Sequence, residues 1–170
     1  MQLYLIRHGI AAERGPNYPD DRQRQLTKAG EARMRLEADA LGVLDIAFDL
    51  ILTSPLLRAT QTAAIVAAGS ETRTATSVTE SEALACNGTP DDVWALLAEH
   101  ADSGAIALVG HEPNLGDLVG TLIGAGAPVR FKKGAICRID VPLEGLRDRT
   151  RLGELRWFLP PRVLRAIGRG

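Results

Sequence analysis

The stretch Leu3-Tyr-Leu-Ile-Arg-His-Gly9 places four apolar residues directly before a polar triplet. A short apolar run bounded by polar residues predicts a strand that is buried on both faces of a sheet. Two later runs have the same character, Leu50-Ile-Leu52 and Ala105-Ile-Ala-Leu-Val109. We therefore expect these three runs to form the centre of one sheet.

Helical segments are expected between these strands. Thr27-Lys-Ala-Gly-Glu31 opens a helix to about Leu44, and Ser54-Pro55 supplies a cap and a first-turn proline for a helix that stops at Gly69. The remaining pattern predicts helices over 90–100 and from 113 to about 124, strands over 73–78, 135–141 and 152–158, and a short helical tail after 161. Strands that alternate with helices are typical of a sheet covered on both faces. We predict one α/β domain over residues 1–170, with three α/β/α layers and a mainly parallel central sheet.

Composition narrows the class of protein. Of 170 residues, 45% are hydrophobic and 24% are charged, which argues against disorder, collagen and coiled coil. The formal net charge of −1 argues against a nucleic-acid partner. Cys86 and Cys137 form no CxxC pair, so a zinc module or a disulfide framework is not expected. Because no apolar window reaches the length of a membrane span and no signal peptide precedes Arg7, we expect a cytoplasmic protein with no membrane partner.

The residues that follow the apolar strands carry the chemistry. Arg7-His8-Gly9 follows the first strand, Gly110-His111-Glu112 follows the strand that ends at Val109, and Arg58 lies in the first turn of the helix after Leu52. Active sites of α/β sheets form outside the carboxyl ends of the strands, and a helical side chain leans towards its own N-terminus. We therefore expect the two arginines and two histidines to meet at one edge. The third histidine, His100, is expected in solvent at a helix end.

Two arginines beside two histidines point to phosphoryl chemistry. A guanidinium fork matches phosphoryl oxygens and does not lose its proton, and a neutral imidazole is a competent nucleophile. A metal site is the rival use of histidine, but no HExxH-type motif or carboxylate cluster surrounds either ring, and Arg7 would repel a cation. The sequence therefore favours a metal-free phosphate site with no cofactor.

Three segments resemble the signatures of the histidine phosphatase superfamily, which has the phosphoglycerate-mutase-like fold. They are Leu3-Tyr-Leu-Ile-Arg-His-Gly-Ile-Ala11, Thr53-Ser-Pro-Leu-Leu-Arg-Ala-Thr-Gln-Thr62 and Val109-Gly-His-Glu-Pro-Asn-Leu115. In its small size the chain is similar to members of the SixA-type branch, which are bacterial phosphohistidine phosphatases. Three shorter stretches point to the same branch, namely Arg24-Gln-Leu-Thr-Lys-Ala-Gly30, Glu82-Ala-Leu-Ala-Cys-Asn-Gly88 and Leu155-Arg-Trp-Phe-Leu-Pro-Pro161.

The resemblance implies a role for each residue of the cluster. His8 is the residue phosphorylated during turnover, Arg7 and Arg58 bind the phosphoryl oxygens, and His111 completes the pocket. Gly9 is expected beside the ligand because a residue without Cβ lets the backbone come close. Arg24 is a candidate substrate contact whose alternative is a loop-surface arginine.

The general acid is left open by the sequence. Relatives place a glutamate in the region of Glu82 or an acid in the loop that here holds Asp20 and Asp21. Glu82 is the acid that we test, with a surface carboxylate as its alternative. A third possibility is that no acid is needed, because a protonated imidazole is already a good leaving group.

The expected activity is dephosphorylation through a covalent phosphohistidine intermediate. The SixA-type resemblance implies a substrate protein that carries phosphohistidine, such as a phosphotransfer domain in signal transduction. The alternative within the superfamily is a small-molecule phosphomonoesterase. A non-catalytic phosphoprotein-binding module is the alternative from another class, but it would be expected to lack one of the four central residues.

Overall fold

A six-stranded mixed sheet forms the centre of the molecule. The computed structural model describes residues 1–69, 77–142 and 153–170. Its strands are β1 (Gln2–Arg7), β2 (Leu50–Thr53), β3 (Ser77–Glu80), β4 (Ala105–Gly110), β5 (Ile136–Asp140) and β6 (Glu154–Leu159). They lie in the order β3-β2-β4-β1-β5-β6. Among these described strands only β5 runs against the others, because it pairs antiparallel with both β1 and β6. The predicted mainly parallel sheet is confirmed.

Helices cover both faces of the sheet. They are α1 (Lys28–Val43), α2 (Leu57–Gly69), α3 (Pro90–Glu99), α4 (Asn114–Ile123) and α5 (Pro161–Ile167). One apolar cluster joins the sheet to α3 and α4, and a second joins the opposite face to α1, α2 and α5. The three α/β/α layers are therefore confirmed.

The central strands are buried on both faces, as their apolar runs predict. Leu3 and Leu5 of β1 pack into the cluster beneath α3 and α4, whereas Tyr4 and Ile6 pack into the cluster beneath α1 and α2. This alternation follows from the two-residue period of a strand. It leaves the residues just beyond each strand as the first polar groups at the sheet edge.

Helix ends agree with the capping residues in the sequence. The Thr27 hydroxyl accepts a hydrogen bond from the Gly30 amide at 2.9 Å at the start of α1. His100 is the C-terminal cap of α3 and is partly exposed. The helix predicted from Pro55 starts instead at Leu57, because the Ser54 hydroxyl caps a bend there by accepting from the Leu56 amide at 3.3 Å.

Two outer strands differ from their predicted bounds. The strand predicted over 73–78 is observed as β3 from Ser77 to Glu80, an exposed edge strand that pairs with β2. Residues 73–76 lie outside the described part of the chain, as does Leu152 at the start of the last predicted strand.

Within the described ranges, no helix has the length and apolar character needed to cross a membrane.

Strand register brings the functional segments to one edge. Arg7 at the end of β1 lies directly opposite Gly110 at the end of β4, and Thr53 of β2 lies opposite Val109. The His8 amide then donates to the Gly110 carbonyl at 3.1 Å, and the Ser54 amide donates to the Val109 carbonyl at 2.9 Å. The sheet therefore holds three chain segments, distant in sequence, at neighbouring positions.

Candidate active site

A pocket of about 220 Å³ lies at the carboxyl edge of the sheet. It contains all four residues of the predicted cluster, together with five others. The lining residues are Arg7, His8, Arg14, Arg24, Arg58, Cys86, His111, Glu112 and Lys133. Five of the nine side chains are arginine or lysine, so the pocket suits an anionic ligand.

Hydrogen bonding fixes the ring of His8. Its Nδ1 lies 2.7 Å from the Gly9 carbonyl oxygen, which can only accept, so Nδ1 carries the proton. The neutral ring therefore has its lone pair on Nε2. Thr62 secures this turn to α2, because its hydroxyl accepts from the Gly9 amide at 3.1 Å and donates to the Arg58 carbonyl at 2.7 Å.

Burial and neighbouring positive charge keep both histidines neutral. His8 is 6% exposed, and burial, followed by His111 and the two nearby arginines, lowers its pKa to about 2. His111 is 2% exposed, and burial and Arg58 lower its pKa to about 3. A neutral imidazole is the form that can act as a nucleophile.

Ser54 holds the ring of His111. The Ser54 Oγ lies 2.8 Å from His111 Nε2 and also accepts from the Leu56 amide. The hydroxyl can donate its own proton to Nε2, and in that arrangement the ring proton of a neutral His111 is on Nδ1.

Arg58 is held by Asp21, which lies in the loop before α1. It lies in the first turn of α2 and is 2% exposed. Its Nη1 donates to the Asp21 carbonyl at 2.8 Å, and its Nη2 donates to the Asp21 carboxylate at 3.0 Å. Nη2 also lies 3.8 Å from the Cys86 sulfur.

Arg7 is held by the segment that leads into β5. Its Nη1 donates to the Phe131 carbonyl, and the Phe131 amide donates to the Glu112 carboxylate at 2.8 Å. Glu112 thus holds the main chain of the residue whose carbonyl accepts from Arg7. Burial lowers the pKa of Arg7 and the Glu112 charge opposes that effect, so the guanidinium keeps its proton at physiological pH.

Three buried polar nitrogens have no hydrogen-bond partner within the described part of the chain. They are Nε of Arg7, Nε of Arg58 and Nδ1 of His111. Buried polar groups are nearly always hydrogen-bonded, so an unpartnered cluster calls for an explanation. All three residues line the same pocket, and together they can donate to the oxygens of one bound anion.

Arg24 and Asp21 also belong to the pocket region. Arg24 is 12% exposed at its side chain, lines the pocket, and donates to Asp21 at 2.7 Å and to the Ala12 carbonyl at 2.7 Å. The Arg24 side chain is therefore largely buried beside the pocket and is not a solvated arginine of the loop surface. Asp21 accepts from Arg14, Arg24 and Arg58, and these contacts lower its pKa despite partial burial.

Glu82 and Asp20 do not reach the pocket lining. The Glu82 side chain is 63% exposed and its carboxylate pairs with Arg22 at 2.7 Å. The 3-10 turn Glu82–Leu84 directs it there. The Asp20 carboxylate instead caps the neighbouring 3-10 turn Asp21–Gln23 by accepting from the Arg22 amide at 2.9 Å.

Gly9 contributes through its main chain. A Cβ at this position would lie 3.3 Å from the Leu26 side chain and 3.7 Å from Met34, so it would face the packing against α1. This packing is a second reason for glycine at this position, and the expected close approach of the backbone to a ligand stays a prediction. What Gly9 gives the pocket is the carbonyl that orients His8.

Several lining residues were not singled out from the sequence. Glu112 directly follows His111, and Cys86 lies in the 82–88 stretch that resembles the SixA-type branch. These two positions were the sequence signals that could have indicated a place in the pocket. Lys133 precedes the left-handed Gly134 in the turn before β5. Arg14 lies in a polar loop whose sequence has no periodic signal.

Comparisons with known proteins match the chain to one family. The profile of the histidine phosphatase superfamily (branch 1) matches residues 3–103. An uncharacterized protein from Picosynechococcus sp. is 44% identical over 94% of this chain and 100% of that protein. The structure of the protein histidine phosphatase SixA complexed with tungstate superposes with a TM-score of 0.81 at 27% identity, covering 95% of this chain and 98% of that one.

A more distant structure shows the fold alone. The alpha-ribazole phosphatase from Shigella flexneri has a TM-score of 0.67 at 22% identity, covering 95% of this chain and 97% of that one. The SixA-type likeness seen in the sequence is confirmed, and it supports phosphatase activity. With a family profile that covers more than half of its length, the chain belongs to the histidine phosphatase superfamily, branch 1.

Proposed function

We propose that this protein is a phosphatase that removes the phosphoryl group from phosphohistidine on a protein, through a covalent intermediate on His8. The observation that carries the proposal is a neutral imidazole with its Nε2 lone pair free, in a pocket whose buried Arg7, Arg58 and His111 nitrogens lack partners. The likeness to a protein histidine phosphatase supports the substrate class.

The first step transfers the phosphoryl group to the enzyme. His8 Nε2 attacks phosphorus in line, and the bond from phosphorus to the substrate imidazole breaks. The electron pair goes to the substrate ring, which leaves as neutral imidazole because its other nitrogen was protonated beforehand. Phosphorylated His8 keeps Nδ1–H, which donates to the Gly9 carbonyl and stabilises the positive ring.

The second step releases inorganic phosphate. Water attacks phosphorus, the bond to Nε2 breaks, and its electron pair returns to His8 while the water proton leaves with the phosphate. Arg7, Arg58 and His111 Nδ1–H donate to the equatorial oxygens in both steps. Because these groups supply the positive charge, neither step of this mechanism uses a metal ion or other cofactor.

The carboxylates near the pocket favour a phosphoramidate over a phosphate ester. An alcohol leaving group needs a proton from a general acid. Three arginines hold Asp21 ionised, Glu112 accepts from a peptide amide, and Glu82 lies outside the lining. An imidazole that is protonated before it leaves needs no such acid, so phosphohistidine fits this set of residues.

The test compares three substrates by phosphate release: a phosphohistidine-bearing phosphotransfer protein, a phosphohistidine peptide and common sugar phosphates. We expect the highest kcat/KM on the protein, and acid-labile label on the wild-type enzyme that is absent from His8→Ala. Higher kcat/KM on a sugar phosphate would assign a small-molecule phosphomonoesterase. Retention of the labelled protein without phosphate release would assign a binding module, and full activity of His8→Ala would exclude His8 as nucleophile.

A further inference from the structure

Asp21 makes an unusually complete contact with the buried arginine of the pocket. Both terminal nitrogens of Arg58 bind this one residue, Nη1 through the main-chain carbonyl and Nη2 through the carboxylate. The third nitrogen, Nε, is buried and has no partner within the described ranges. The contact therefore fixes the plane of the guanidinium and leaves Nε to a ligand.

The surroundings of Asp21 keep its carboxylate ionised. Its Oδ1 accepts from Arg14 Nε and Arg24 Nε, each at 2.7 Å, while Oδ2 accepts from Arg58. These contacts hold the pKa of Asp21 well below its usual range. A carboxyl group that stays ionised cannot give a proton to a leaving group, although it remains a strong acceptor.

The turn that carries Asp21 has its own anchors. Asp20 caps it by accepting from the Arg22 amide at 2.9 Å, and Arg24 at its end donates to the Ala12 carbonyl at 2.7 Å. Asp21 is thus presented to Arg58 by a fixed piece of backbone from a segment 37 residues away in sequence.

We propose that Asp21 is a positioning residue that acts through Arg58, orienting its guanidinium for the phosphoryl oxygens, and that it is not the proton donor of the reaction. This inference rests on the proposed function, since it concerns the same pocket. An arginine side chain has several rotatable bonds, so holding it in place beforehand removes an ordering cost from the binding of the anion.

A binding experiment tests the inference without turnover, with tungstate as the probe and calorimetry as the readout. Asp21→Ala removes the side-chain acceptor and a negative charge, and these changes act in opposite directions on anion affinity. We expect about five- to ten-fold weaker tungstate binding than wild type, because the loss of orientation outweighs the charge. In an Arg58→Ala background we expect the same change to weaken binding clearly less or to tighten it, since the orientation of Arg58 no longer contributes and only the charge and the contacts with Arg14 and Arg24 remain.

The control is Glu13→Ala, which removes the same charge from an exposed position of the same loop. We expect it to leave tungstate affinity within about two-fold in both backgrounds. Equal weakening by Asp21→Ala with and without Arg58, or tightening in both backgrounds, would overturn the positioning role.

Turnover adds a second discrimination. A positioning residue affects all substrates alike, so Asp21→Ala lowers kcat/KM for p-nitrophenyl phosphate and for an alkyl phosphate by the same factor. A proton donor affects chiefly the alkyl ester, whose leaving group is the poorer one. A loss confined to the alkyl ester would therefore exclude the inference. If wild type turns over neither ester, the result agrees with a preference for phosphoramidates, and the tungstate result alone decides the role of Asp21. Failure of the proposed function would instead be seen as no phosphate release from a phosphohistidine protein.

Discussion

The rings of His8 and His111 lie 5.0 Å apart between centroids and are tilted by 54°. Each ring is buried and each faces the positive charges of Arg7 and Arg58, so protonation is unfavourable for both. The sheet creates this pair by placing the ends of β1 and β4 side by side. In the proposed mechanism, neutral His8 is the nucleophile, and neutral His111 and the two arginines donate to the phosphoryl oxygens.

The two rings should keep their neutral forms far into the acidic range. Their pKa values of about 2 and about 3 lie well below the usual 6.5, so neither ring gains a proton between pH 7.5 and 4.5. Long-range ¹H–¹⁵N NMR should show constant neutral-ring shifts, with the proton of His8 on Nδ1. His8→Asn and His111→Asn assign the signals. A ring that becomes protonated above pH 5 would contradict the assigned environment.

Loss of Arg58 should impair catalysis far more than it impairs folding. Removing one charge-assisted donor to a transition state typically lowers turnover by about 100- to 1,000-fold, and we expect this for Arg58→Ala in phosphate release. Arg35→Ala is the matched control, because Arg35 is an exposed arginine of α1. Circular dichroism and the melting temperature verify folding. A fall below ten-fold in a folded Arg58→Ala would argue against Arg58 as a phosphoryl ligand.

Glu112 should act on Arg7 through the main chain of Phe131. Glu112→Ala removes the acceptor of the Phe131 amide and frees the segment whose carbonyl holds Arg7. We expect kcat/KM to fall about ten-fold, or about 1.4 kcal/mol in barrier height. Glu112→Gln keeps an oxygen that can accept, so it should stay within about three-fold of wild type. Equal losses in the two variants would show that the negative charge of Glu112 matters and that its hydrogen bond to the Phe131 amide does not.

The cluster of two histidines and two arginines was predictable because it depends on patterns that are local in sequence. The apolar runs of β1, β2 and β4 fix which residues stand just beyond the strands, and parallel register then brings His8, His111 and the Arg58 turn together. Family signatures on the same residues gave their expected roles. The sheet follows from the same patterns, since strands buried on both faces need helices on both sides.

The contacts of the loop before α1 were not predictable in the same way. Asp21 reaches Arg58 across 37 residues, and Arg24 reaches the Ala12 carbonyl within an irregular segment. No period in a polar loop specifies such partners. The sequence offered Glu82 as the acid to test, with Asp20 and Asp21 as alternatives. The fold makes Asp20 a turn cap, Asp21 an arginine partner and Glu82 a member of a surface ion pair.

The structure predicts a small effect for Glu82→Gln. Its carboxylate pairs with Arg22 at the surface, and exposed ion pairs of this kind contribute little. We expect kcat/KM within about two-fold of wild type on both an alkyl phosphate and a phosphohistidine protein. A loss of more than ten-fold restricted to the alkyl phosphate would instead restore Glu82 as the general acid.

Glu37 and Arg165 form an ion pair between α1 and α5, outside the pocket lining. Burial raises the pKa of Glu37 to about 7 although Arg165 opposes the shift. The ordinary value in an unfolded chain is 4.5. Between these values the native state holds a proton that the unfolded chain has released, so the contribution of Glu37 to stability decreases as the pH rises through this range.

Replacing Arg165 by methionine should therefore destabilise the protein in a pH-dependent way. At pH 5.5 Glu37 is protonated in the native state and the loss is small. At pH 8.5 the ionised carboxyl without its partner costs about 2 kcal/mol more, because linkage adds about 1.36 kcal/mol for each pH unit above the native pKa of about 7. Urea unfolding at the two pH values measures the difference. Arg162→Met, on the exposed side of the same helix, should show little loss at either pH. Equal losses for Arg165→Met at both pH values would mean that Arg165 stabilises the helix by packing, independently of the Glu37 charge.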